Sequence, residues 1–95
     1  EETEKMFQEA STNYLLALHF SEDVSSCNNN FGSFLYDHAR NKQNPEEIAY
    51  LLKLATEQYQ LGLAVKPNDD TLIFNWADVL SEQSKIIAYH KNPQT

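Results

Sequence analysis

Ala10, Tyr14, Leu16 and Leu18 recur as Ala55, Tyr59, Leu61 and Leu63, each 45 positions further on, and Asn30 and Leu35 recur at the same offset as Asn75 and Leu80. Similar rather than identical pairs fill the intervals: Met6-Phe7 with Leu51-Leu52, Ala17 with Gly62, and Phe31-Gly32 with Trp76-Ala77. Self-similarity at a fixed period of tens of residues marks stacked supersecondary units, each of which needs a neighbour to cover its apolar face. Such a chain is expected to be a binding scaffold before it is an enzyme.

The length of 95 residues and the 41% hydrophobic content suit one small domain, residues 1–95. Two glycines and three prolines are too few for the many tight reversals of a β-sandwich or barrel, so the elements must be few and long. The net charge of -7 works against nucleic acid, whose binding depends on Lys and Arg neutralising phosphates. A single cysteine, Cys27, and the lack of an Asn-x-Ser/Thr acceptor fit an intracellular, cytoplasmic setting. No apolar run approaches the roughly 20 residues that span a bilayer. The start at Glu1 rather than Met suggests a segment of a larger protein.

Charge order predicts four helices. Acidic pairs stand at Glu1-Glu2, Glu22-Asp23, Glu46-Glu47 and Asp69-Asp70. Basic or histidine residues follow at His19, Arg40 with Lys42, Lys66, and His90 with Lys91. This complements four successive helix dipoles. Helix three opens at Pro45, with Asn44 as its cap and Glu47 placed to close a capping box, and Pro67 ends it. Helix four starts near Asp69, and helix two runs from about Glu22 to Asn41 despite the poor propensity of Asn28-Asn29-Asn30. Apolar spacing gives a stripe of Met6, Phe7, Ala10, Tyr14, Ala17 and Leu18 in the first helix. Helix two has Val24, Cys27, Phe31, Leu35 and His38 on one face, and helix four has Ile73, Trp76, Ala77, Leu80 and Ile87. The loops are short enough to make sequential helices antiparallel.

The pattern of Ala55, Tyr59, Gly62 and Pro67, repeated without the proline as Ala10, Tyr14 and Ala17, resembles the second helix of the tetratricopeptide repeat (TPR) family. Phe31-Gly32 with Leu35 and Trp76-Ala77 with Leu80 resemble its first helix. The resemblance implies an all-α fold of four antiparallel helices in two helix-turn-helix repeats, either a TPR-like right-handed superhelix or a compact bundle. The period departs from the family's 34 residues toward the 40–47 of HEAT and armadillo repeats. Two units are also fewer than the roughly three that a free-standing solenoid needs. Flanking repeats or closure into a bundle would answer that.

The resemblance also implies a partner-binding concave surface, made of Asn29, Ser33, Tyr36 and Asp37 from helix two and Phe74, Asp78, Ser81 and Glu82 from helix four. Its acidic side chains would repel a carboxylate and favour a basic or neutral peptide. Phe74 could equally be ordinary core, and the polar residues could simply face water. Asn30 and Asn75 keep an amide within each apolar stretch, so each is expected to bond across to another helix or to a backbone carbonyl. Trp76 reads as core by its match to Phe31. Cys27 and His38 lie on one helix face but are separated by about 16 Å of helical rise, too far for a nucleophile and its base. His19, His38 and His90 show no zinc-ligand spacing. The expected protein is therefore noncatalytic and without cofactor or metal. It binds a protein or peptide, inserts in no membrane, and has helix faces through which a homo-oligomer could form. A structural bundle that self-associates or docks on a neighbouring domain is the alternative.

Overall fold

The computed structural model describes residues 2–91, with side-chain surroundings over 3–88, and the chain there is all-α. Four helices follow in order: α1 Glu2–Phe20, α2 Val24–Arg40, α3 Pro45–Val65 and α4 Asp70–Lys91. Side-chain roles expected for Glu1-Glu2 and for His90-Lys91 lie outside the described residues.

Each well-defined start has a side-chain cap. The Asn44 side chain accepts from the Glu46 and Glu47 backbone N–H groups at 2.8 and 3.2 Å, with Pro45 at the first helical position. Asp69 accepts from Leu72 N–H at 3.1 Å. Asp23 accepts from Ser26 N–H at 3.2 Å, and that bond holds its carboxyl below the ordinary value. These oxygens satisfy N–H groups that have no intrahelical partner. The Glu47 half of the expected capping box is missing: among the described residues, no hydrogen bond runs from its carboxylate back to Asn44.

Successive helices are antiparallel. Tyr14 stacks on Phe31 and Phe7 on His38, which sets α1 against α2. Asn28 bonds Gln58 between α2 and α3, and Thr56 bonds Gln83 between α3 and α4. Asn75 reaches Asn29 at 2.9 Å, so α4 runs beside α2 in the same direction. The result is a slab of 50 × 36 × 13 Å with α2 and α3 at its centre. The core comprises Phe31, Leu35 and Ala39 from α2, Leu51, Leu52, Ala55 and Tyr59 from α3, and Leu72 and Val79 from α4. Close approach at its centre depends on two glycines. A Cβ on Gly32 would lie 2.8 Å from the Tyr59 ring, and one on Gly62 would lie 3.0 Å from Leu72.

Several expected burials are corrected. In α4 the buried stripe is Leu72, Val79 and half-buried Ile86, while Ile73, Ala77, Leu80 and Ile87 are exposed. The helix carries two apolar stripes about 100° apart, and the short turn at Lys66–Asp69 sets Leu72 against Gly62, which selects the other one. Met6 and Ala17 are exposed because α1 lies against α2 alone. Val24, Cys27 and His38 are half-buried, and the fully buried face of α2 is shifted toward Asn28, Gly32 and Ala39. Asn75 does bond across helices, but Asn30 is exposed, and Asn28 and Asn29 make the interhelical bonds. Trp76 is half-buried at the edge of the core, with its indole N–H enclosed and unpartnered among the described residues.

Candidate partner-binding surface

Because α2 and α4 run side by side in the same direction, their outward residues form one surface. Asn29 and Asn75 tie the two helices at one end. At the other, Tyr36 stands close enough to Glu82 and Asp78 for their charges to act on its hydroxyl. Burial first and then Glu82 push the Tyr36 hydroxyl above its ordinary value, with Arg40 opposing and Asp78 adding to the rise. The Arg40 guanidinium lies 5.6 Å from the centre of the Tyr36 ring, within cation–π range.

The eight residues expected to bind a partner divide into two groups. Asn29 accepts the Asn75 amide, and the Ser33 hydroxyl lies 3.0 Å from that of Tyr59, so both already hold helices together. The Tyr59 hydroxyl is raised mainly by burial, a shift that the Ser33 bond partly offsets. Tyr36, Asp37, Phe74, Asp78, Ser81 and Glu82 keep accessible surface. Phe74 is 70% exposed, which excludes the reading of it as core. Glu82 is half-buried and pairs with Lys85 at 3.3 Å.

A groove of about 330 Å³ continues this surface toward the α2–α3 turn, with Tyr36, Arg40, Lys42 and Glu82 on its rim and Leu52 and Ile86 in its floor. An adjoining hollow of about 250 Å³ shares Leu52 and Ile86 and is almost wholly apolar. The two open between the start of α3 and the end of α4, away from the turn that joins those helices. Arg40 and Lys42 were readable in the sequence only as helix-end cations. Their place on a groove rim depends on α4 crossing behind them, and no local pattern encodes that. Lys42 is also bonded to Glu4 at 3.2 Å, which leaves Arg40 as the freer cation.

This arrangement can seat an apolar side chain and pair a charge at its edge. Among the described residues, no three of His, Cys, Asp and Glu come together as metal ligands, and no helix is long and apolar enough to cross a membrane. Comparison of the chain with protein-family models, curated proteins and solved structures finds no match.

Proposed function

We propose that the chain is a noncatalytic, TPR-like protein-interaction module that binds a peptide or helix carrying Lys or Arg beside an apolar residue. The observation that supports this most is the 70% exposure of Phe74 on the same face as Asp78 and Ser81, alongside Tyr36, Asp37 and Glu82. A large ring left in water next to carboxylates offers an apolar anchor with charges that steer a basic partner. The helix-in-groove mode uses these parts, with apolar anchors giving affinity and flanking charges giving orientation.

The test is fluorescence anisotropy against a panel of labelled peptides in which Lys or Arg flanks Leu or Phe, with acidic peptides of equal hydropathy as controls. Phe74→Ala and Asp78→Lys are each expected to weaken the best basic binder about tenfold or more, on the scale of a lost hot-spot contact. Thr12→Ala and Gln60→Ala, on the outer faces of α1 and α3, should leave binding intact. A panel in which acidic peptides bind better, or in which Phe74→Ala binds as the parent does, rules the surface out.

A further inference from the structure

The 45-residue repeat assigns a counterpart to every position of the central α2–α3 contact. On α2 the buried positions include Asn28 and Gly32, which meet Gln58, Gly62 and Tyr59 of α3, and Leu35. Their counterparts on α4 are Ile73, Ala77 and Leu80, of which Ile73 is 46% and Leu80 45% exposed. On α3 the buried positions include Leu51, Ala55 and Gly62. Their counterparts on α1 are Met6, Ala10 and Ala17, with Met6 64% exposed, Ala17 exposed and Ala10 half-buried. The outer flanks of α4 and α1 are therefore the two halves of an interface that the chain already makes once, at its centre.

We propose that a second copy of this chain docks its α1 on the exposed flank of α4, in the register in which α3 sits on α2, so that copies add head to tail. In that register Tyr14 of the copy meets Asp78, as Tyr59 meets Ser33, and its Asn30 comes beside Phe74, as Asn75 does beside Asn29, so the docked copy borders the α2–α4 surface. The facing strips are largely uncharged: Ile73, Ala77 and Leu80 would meet Met6, Ala10 and Ala17, with Asp78 the acidic neighbour, set against the Tyr14 hydroxyl of the copy. Two chains of net charge -7 can meet along such strips without facing like charges directly.

The contact area sets its strength. Two helices of about 20 residues touch over about 30 Å and bury on the order of 1,000 Å² together, at the low end for a specific interface. Ala77 also carries a methyl where Gly32 leaves room for the Tyr59 ring, so the copy sits further out than α3 does on α2. Association is consequently reversible and concentration-dependent. Because the two flanks differ, the contact is heterologous and does not close on itself as a two-fold dimer does.

Sedimentation of the whole chain over a wide concentration range tests this, with circular dichroism confirming that each variant is helical. The parent should grow past dimer mass as concentration rises. Ala17→Glu and Leu80→Glu should each remain monomeric alone, whereas an equimolar mixture should form a dimer and nothing larger, because one good flank survives on each. Gln60→Glu adds the same charge on the outer face of α3 and should associate as the parent does. Met6→Glu and Ile73→Glu repeat the experiment at other points of the two flanks should either first variant unfold. A parent that is monomeric throughout, a mixture that stays monomeric, or dimers lost with Leu80→Glu but kept with Ala17→Glu would each overturn the proposal, the last by indicating an α4–α4 dimer. Peptide binding at Phe74 is measured separately, at concentrations at which the chain is monomeric.

Discussion

Gly32 and Gly62 occupy similar places in the packing but differ in what a methyl would meet. At Gly32 the added carbon falls 2.8 to 3.0 Å from three atoms of the Tyr59 ring, which is buried and held by Ser33. A rigid ring cannot give way without moving a helix. At Gly62 the nearest atoms are the terminal methyls of Leu72, at 3.0 and 3.1 Å, which can turn aside by a few tenths of an ångström, and the Asn28 Cβ stands slightly further off at 3.2 Å. Replacing a mid-helix glycine with alanine gains about 1 kcal/mol of helix propensity, whereas overpacking a core costs about 1 to 3 kcal/mol. Gly32→Ala should therefore be net destabilising in a denaturant melt, Gly62→Ala close to neutral, and Gly62→Leu destabilising. A Gly32→Ala protein more stable than the parent would mean that Tyr59 does not lie over that backbone. The three consecutive asparagines teach a related lesson. Asn28 joins α2 to α3, Asn29 joins α2 to α4, and Asn30 faces water, because successive helical positions point 100° apart.

Among the elements, α1 is held differently from the rest. Among the described residues α2 is its one packed helix neighbour, beside the Glu4 bond to Lys42, and the packing is through rings: Phe7 lies 4.1 Å from His38 and 5.5 Å from Phe34, nearly parallel to both, and Tyr14 lies 5.1 Å from Phe31. His38 Nε2 is enclosed there without a partner among the described residues. Burial, and then Lys42 nearby, lower the pKa of His38, an effect that Glu4 on α1 and Glu47 on α3 partly oppose. A histidine with a lowered folded-state pKa contributes stability above its unfolded value of about 6.5, and this is lost as pH falls through the folded value. The melting temperature should hold steady above about pH 7 and decline as pH falls below about 6.5, before carboxylates titrate. His38→Phe should flatten that decline, and ring-current shifts of Phe7 followed by NMR should report release of α1 before α2–α4. An equal slope in His38→Phe would remove His38 from the explanation. At this scale the sequence was largely legible. Caps and prolines are local signals, so the starts at Pro45 and Asp70 were readable within a residue, as was the antiparallel order. The face that α4 buries was not, because Leu72, Val79 and Ile86 form as good a stripe as Ile73, Leu80 and Ile87, and only the neighbouring helix chooses between them. The same limit applies to the candidate site. Phe74 and Asp78 could be placed by their offset from Asn29 and Ser33, whereas the involvement of Asn29 and Ser33 in helix contacts required tertiary structure.

For the whole molecule, a thin slab with an excess of seven negative charges, ionic strength acts in opposite directions on the two proposed contacts. At about 0.01 M salt the screening length is about 30 Å, close to the breadth of the slab, 36 Å, so one copy feels the full charge of another as their flanks approach. At about 1 M the length falls to about 3 Å and that repulsion is gone, while burial of apolar strips is unaffected or slightly favoured. Head-to-tail association should accordingly strengthen as salt rises. Binding of a Lys- or Arg-bearing peptide beside Phe74 should weaken over the same range, since Asp37, Asp78 and Glu82 attract it through charges that salt screens. Sedimentation and anisotropy in a common series of buffers measure the two slopes on one protein. Self-association that weakens with salt would mean that ion pairs rather than the Leu80 and Ala17 flanks carry it. Peptide binding that strengthens with salt would leave Phe74 as an apolar contact and remove the acidic residues from recognition.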